Sequence, residues 1–368
     1  MEPHDEHPSP ESSAPDSSIV HRHAERTRLP VWVAVAIAIV CGAGTAVQSR
    51  INGELATALA DPYAAAAISF GSGLVVLLAA LACWRPGRAG FARLRGELRE
   101  RRIAWWMLLG GLAGAWFVTT QGLSAGVLGV AVFTVAIVAG QTVGGLVFDV
   151  VGLGPGGRRR LTWSRVAGAL LALGAIGWAV SAQLDHDVPL LLMLLPFIAG
   201  IGAAWQQAVN GRVRSAAESA LTSTVLNFAV GTTALVVVLL VHAASAGFPA
   251  RFPSEPWLYL GGVIGCLFIA GQAIVVRIIG VLVLALAGVA GQLSAALALD
   301  LLLPAHGRVV DVATIGGTVL ALAAVALASL HRTRHRHVAA DAQDSVENRE
   351  PPSSAGRPGL PDSMRPPT

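Results

Sequence analysis

The chain has 368 residues, 54% of them hydrophobic and 13% charged, with a mean hydropathy of +0.62. Soluble domains carry about 25% charged residues, so a water-soluble protein with an ordinary polar surface is excluded. The formal charge is +4 and all 26 basic residues are Arg; because they flank apolar runs, they read as topology signals and not as a nucleic-acid surface.

Residues 1–29 are rich in His, Pro, Ser and Glu and have no apolar core, so a disordered tail is expected there. The first apolar run lacks a small-residue cleavage context and reads as a retained helix, not a signal peptide. Membrane spans of helix-crossing length are expected near 31–49, 64–84, 103–120, 124–148 and 164–182, then 189–208, 219–242, 257–275, 278–302 and 311–330. The divisions at 120–124 and 275–278 each cut one long apolar region, the second beside Arg277. Residues 333–368, which hold six prolines, form a second expected tail. Cys41, Cys83 and Cys266 have no CxxC or metal-ligand spacing and read as small apolar side chains. With ten spans, 23 Arg fall on one side and only Arg50, Arg251 and Arg308 on the other. The positive-inside rule then places both termini in the cytoplasm.

The chain is also written twice. A slide of 158 residues puts Gly42 on Gly200, Gln48 on Gln206, Asn52-Gly53 on Asn210-Gly211, Phe70 on Phe228 and Gly73 on Gly231. A slide of 151 puts Gly110, Gly114 and Phe117 on Gly261, Gly265 and Phe268. It also matches Gln121 with Gln272, Gly129 with Gly280, Gln141 with Gln292 and Asp149 with Asp300. The expected fold is therefore an all-α integral membrane protein of ten transmembrane helices in two five-helix repeats, 30–184 and 185–332. Five is odd, so the copies enter the membrane from opposite sides, the geometry of an alternating-access transporter.

The elements Gln48-Ser-Arg-Ile-Asn52-Gly53 and Ile68-Ser-Phe-Gly-Ser-Gly73, their echoes at 206–211 and 226–231, and the two Ala-Gly-Gln segments at 139–141 and 290–292 carry a family likeness. The chain resembles the YdcZ-like branch of the drug/metabolite transporter superfamily over about residues 31–330. The resemblance implies ten helices around a central cavity, as in EamA-type transporters, and a multi-pass protein of the bacterial cytoplasmic membrane. Many members of this branch hold one five-helix unit, and this chain looks like the fused form. Two positions depart from strict repetition: Ser69 becomes Asn227, and Glu54 becomes Arg212.

Gln141 and Gln292 lie inside spans four and nine; a buried amide there either bonds a neighbouring helix or lines a solute path. Gln48, Asn52, Gln206 and Asn210 are expected at helix ends, four apart and sharing faces, as caps or as gates at opposite mouths. Gln121 and Gln272 are expected to end spans three and eight, and Asn227, without an amide counterpart, is a selectivity candidate. Asp149 and Asp300 close their spans and are candidates for proton coupling, against solvation or pairing with Arg. Trp105, Trp106, Trp116, Trp178, Trp205 and Trp257 read mostly as interfacial anchors. The segment GLGPGG at 152–157 lacks the Lys-Ser/Thr ending of a phosphate loop. No metal or cofactor motif is present, so no cofactor and no enzyme activity are expected. The expected function is a secondary carrier of a small metabolite or drug-like solute, an exporter by resemblance. The alternatives are a membrane scaffold or regulator and a membrane-embedded enzyme. The expected partners are a small-molecule substrate and the lipid bilayer, with a homodimer left open and no nucleic acid.

Overall fold

A computed structural model of the chain describes residues 30–158, 160–181, 190–304 and 310–327; both expected tails lie outside them. The described residues are helical with short connections: α1 (Val31–Leu59), α2 (Pro62–Cys83), α3 (Arg85–Arg99), α4 (Gly110–Thr120), α5 (Gly126–Leu128), α6 (Val130–Val151), α7 (Trp163–Ser181), α8 (Leu190–Ala217), α9 (Ala220–Ala246) and α10 (Gly261–Leu302), then α11 (Val312–Leu327). Among them α1, α2, α6, α9 and the Val283–Leu302 stretch of α10 are long and apolar enough to cross a membrane. Stretches in α7, α10 (Gly261–Gln272) and α11 are apolar but shorter. Four of the five long stretches bury only 28–33% of their apolar window, whereas α6 buries 67%. The rest, including Val75, Val241, Leu267 and Leu302, faces outward, as an apolar surface does when lipid is its solvent.

The turns follow from local chemistry and recur at the same spacing. α1 ends on Ala60, left-handed at φ 51. Asp61 then caps α2 by accepting from the N–H of Tyr63 (2.9 Å) and Ala64 (3.0 Å), and Pro62 supplies a φ already suited to a first turn. The same device recurs 158 residues on, with Glu218 at φ 49 and Ser219 accepting from the Thr222 N–H at 3.1 Å. Short 3₁₀ turns at Trp105–Leu109 and Pro256–Tyr259 begin at the two positions that a slide of 151 matches.

Two expectations need correction. α1 and α8 run on to Leu59 and Ala217, so Gln48, Asn52, Gln206 and Asn210 stand inside helices and not at their ends. The polar hexapeptides contain no Pro, and the Glu-Leu-Ala-Thr-Ala-Leu that follows the first is a good helix former. The first division falls not at 120–124 but at Gly129, where φ 83 and ψ 155 break the chain; Gln121 opens a π-helical turn, Gln121–Ala125, instead of ending a span. The second division holds: α10 is helical from Gly261 to Leu302, yet Gly271 meets Cys41 and Gly291 meets Ile39 of α1, and a straight helix would set those two glycines about 30 Å apart. The chain therefore reverses between them, and Gln272 lies just before the reversal and inside the helix. Finally, the Arg-rich connection between spans two and three folds into the amphipathic α3. Its buried Leu94 packs with Val213 and Ala217 of α8, and Arg93 Nε donates to the Ala217 carbonyl at 2.9 Å.

Helices approach most closely across the two halves. α1 lies along α10, α8 lies along α6 and α4, and α2 crosses α9. Glycines make these approaches possible, since a Cβ at Gly42 would collide with the Gly288 carbonyl and one at Gly200 with the Ile137 carbonyl. Membrane helices have no hydrophobic drive toward one another, so such backbone proximity carries much of their association. At the centre Phe70 of α2 stacks on Phe228 of α9, with ring centroids 4.8 Å apart and planes inclined by 23°. Each ring covers the other helix's glycine: Gly73 lies under Phe228 and Gly231 under Phe70.

Candidate functional site

Two amide networks occupy the ends of this crossing. In the first, Asn52 Nδ2 of α1 donates to Gln121 Oε1 at 2.7 Å, and Gln121 Nε2 donates to Ser49 Oγ at 2.8 Å. Ser49 Oγ in turn donates to the Thr45 carbonyl at 3.0 Å. All three side chains are almost completely buried. The π turn serves this network, because it carries Gln121 past the end of regular α4 and toward α1. Asn52 Oδ1 and Ser69 Oγ have no hydrogen-bond partner among the described residues, and both approach Gly261, where a Cβ would meet them.

The second network is built differently. Asn227 Oδ1 of α9 accepts from Gln206 Nε2 at 3.0 Å and from Asn210 Nδ2 at 2.9 Å, both on α8. Ser223 Oγ donates to the Asn210 carbonyl at 3.1 Å. Gln206 and Asn210 are half-buried and Asn227 is buried. Hydrogen bonds between membrane helices average about 0.6 kcal/mol and reach about 1.7 kcal/mol, so neither network locks the fold. Leaving a buried amide unpaired costs about 1–3 kcal/mol, which makes the choice of partner matter.

The remaining candidates are dispersed. Gln48 is buried, its Nε2 2.9 Å from where a Cβ of Gly265 would be; Gln206 bears the same relation to Gly114 at 2.8 Å. Gln141 is half-buried, with its backbone against Gly200. Gln292 is buried, and its Nε2 has no partner among the described residues. Gln272 is half-buried in α10. Gln48, Gln141, Gln272 and Gln292 are not among the hydrogen-bonded members of either network.

The two aspartates have separate fates. Asp149 pairs with Arg165 at the start of α7, a half-exposed contact. Asp300 is 6% exposed and sits on the N-terminus of α6, accepting from Val130 N–H at 3.0 Å and Ala131 N–H at 2.7 Å. A carboxylate on two unpaired N–H groups of a helix start is a strong cap. The signal that links Asp300 with Gly129 was present in the sequence only as two unrelated repeat matches. Among the described residues no group of three or more His, Cys, Asp or Glu could hold a metal ion.

The family model described as "Putative inner membrane exporter, YdcZ" matches residues 33–178 and 191–327. The chain belongs to the YdcZ family. Its similarity to "Inner membrane protein YdcZ" of Escherichia coli (strain K12) is 29% identity over 150 residues, 40% of this chain and 95% of that relative. No solved structure matches the chain. Membership in the YdcZ family and five long apolar helices make this a multi-pass membrane protein with a general connection to transport.

Proposed function

We propose that the chain is a secondary transporter of a small organic solute in a bacterial inner membrane, with ten spans in two inverted five-helix repeats and both termini in the cytoplasm. The observation that carries this reading is that contacts between the halves come in matched pairs. Gly140 meets the Phe197 carbonyl and Gly291 the Ile39 carbonyl; Gly111 meets the Asn227 carbonyl and Gly262 the Ser69 carbonyl. Each contact maps onto its mate by the slides of 158 and 151. Phe70 stacks on its own counterpart, as two copies related by a pseudo-twofold axis between the rings would. The family's description as an inner membrane exporter supports outward movement, and a relative that covers only 40% of this chain from 95% of its own length supports a duplication.

In this reading each half can adopt the other's conformation, and the solute site opens first to one side and then to the other. The Asn52–Gln121 network guards the external mouth, and the Asn227 network guards the cytoplasmic one. Gln141, Gln292, Gln48 and Gln272 supply polar groups between them. Asp300 now holds the helix break at Gly129; after exchange Asp149 would leave Arg165 and take the backbone N–H groups that follow Gly280. Either carboxylate could then carry a coupling proton, released or taken up as its partners change. Flux into proteoliposomes across a metabolite and drug panel tests the transport reading. Uptake that saturates and is lost on Asn227→Ala, with folded protein preserved, supports it; a folded protein inert to the whole panel counts against it.

A further inference from the structure

Beside the external end of α1 a cavity of about 250 Å³ lies between α1, the π turn and α5. Small residues make the room: Gly53, Ala125 and Gly126 form much of its wall, and a Cβ at Gly53 would come within 3.2 Å of the Gly126 nitrogen. Its charged lining is one ion pair, Arg50 with Glu54, four residues apart on α1. Their side chains are 18% and 33% exposed, so the pair is shielded yet open to the cavity. Thr57 completes the polar lining.

The fold does not require this pair. The other half builds the corresponding long helix with Ala208 and Arg212 at the matched positions. There Arg212 serves as a cap, donating from Nε to the Leu153 carbonyl at 2.8 Å and from Nη2 to the Gly152 carbonyl at 2.9 Å. Nor is the pair arranged to favour the helix, since acid before base at i,i+4 is the stabilising order and Arg50 precedes Glu54.

We propose that this cavity is a binding site for a small zwitterionic solute, of the α-amino acid or betaine type, whose carboxylate meets Arg50 and whose ammonium meets Glu54. The inference rests on the transport reading and narrows its substrate class. A lone cation would gain Glu54 but face Arg50, and a lone anion would meet the reverse conflict. Only a ligand with both charges gains from both residues and escapes both repulsions. Size agrees, because drug-sized ligands occupy roughly 300–1,000 Å³ and this cavity is smaller.

The test is binding to the purified full chain in detergent, by calorimetry, with charge-matched probes. The zwitterions are the common amino acids and glycine betaine; the controls are the corresponding amino-acid amides as cations and N-acetyl amino acids as anions. At least one zwitterion should bind about tenfold or more tightly than its amide and its N-acetyl form. Glu54→Gln should erase the preference over the anion, Arg50→Gln the preference over the cation, and Arg50→Lys should largely retain it. If Arg50→Gln does not fold, Glu54→Gln carries the test. Equal binding of the three charge forms, binding of none of the zwitterions, or unchanged discrimination in Glu54→Gln overturns the proposal. The transport reading fails separately: a zwitterion that binds but never crosses a proteoliposome membrane would refute transport and leave the site standing. Saturable flux of a different solute class, unaffected by Glu54→Gln, would do the opposite.

Discussion

Asp300 and Asp149 are matched residues of a duplicated chain, yet one is buried and the other half-exposed. At Gly129 the chain turns to φ 83, a new helix begins, and Asp300 caps it. Asp149, the mate of Asp300, instead pairs with Arg165 at the start of α7. Burial differs in the same sense: α6 buries 67% of its apolar window and the matched stretch of α10 33%. The two halves thus differ in the surroundings of one matched carboxylate, an asymmetry on which the proposed exchange of the halves would draw.

The largest expected effect comes where the halves agree. Gly111→Val and Gly262→Val each drive a side chain into a carbonyl of the opposite half, at Asn227 and Ser69. Both should abolish folded protein, as measured by monodisperse yield after extraction; a well-folded product from only one would break the pairing. Next is the comparison at the helix break. Gly129→Ala forces Cβ into a backbone region that is essentially glycine's, a cost of about 1–3 kcal/mol, and should lower thermal stability.

Smaller effects sharpen the comparison further. Asn227→Ala leaves the Gln206 and Asn210 donors without their shared acceptor, costing about 1–3 kcal/mol in denaturant or thermal unfolding. Asp300→Asn loses a charged cap on two N–H groups and should cost about 1–2 kcal/mol. Asp149→Asn removes only a half-exposed ion pair worth about 1 kcal/mol or less. If both act as exchange partners, both should reduce flux despite this difference in stability. A stability loss that is equal for the two would contradict the separate roles seen for them.

Much of the fold was legible in the sequence because apolar runs, Arg-rich flanks and matched glycines leave direct marks. The repeat in Gly42, Phe70 and Gly73 anticipated contacts that pair each with the other half. What escaped is set by backbone conformation and by partner choice. The polar segment after Gln48 looked like a terminus, yet no helix breaker stands there and α1 continues to Leu59. The turn at Gly129 was misplaced because the carboxylate that caps the helix after it, Asp300, arrives from another helix. The amides were found as residues but not as networks: Asn52 takes Gln121, whereas Asn210 takes Asn227, because Ser69 is too short for the corresponding role. α3 was missed because its Arg content masks an amphipathic face closed by Leu94.

The inversion of the two halves can be tested without knowing the substrate, using Thr57 and Ser215, matched by the slide of 158 and both exposed. Thr57→Cys and Ser215→Cys would each be placed in a chain whose three native cysteines are replaced, and challenged in intact cells and inverted vesicles with a membrane-impermeant thiol reagent. Inverted repeats predict that Thr57→Cys reacts from outside the cell and Ser215→Cys from the cytoplasmic side. Reaction of both from the same side would contradict the inversion and, with it, alternating access by exchange of the halves.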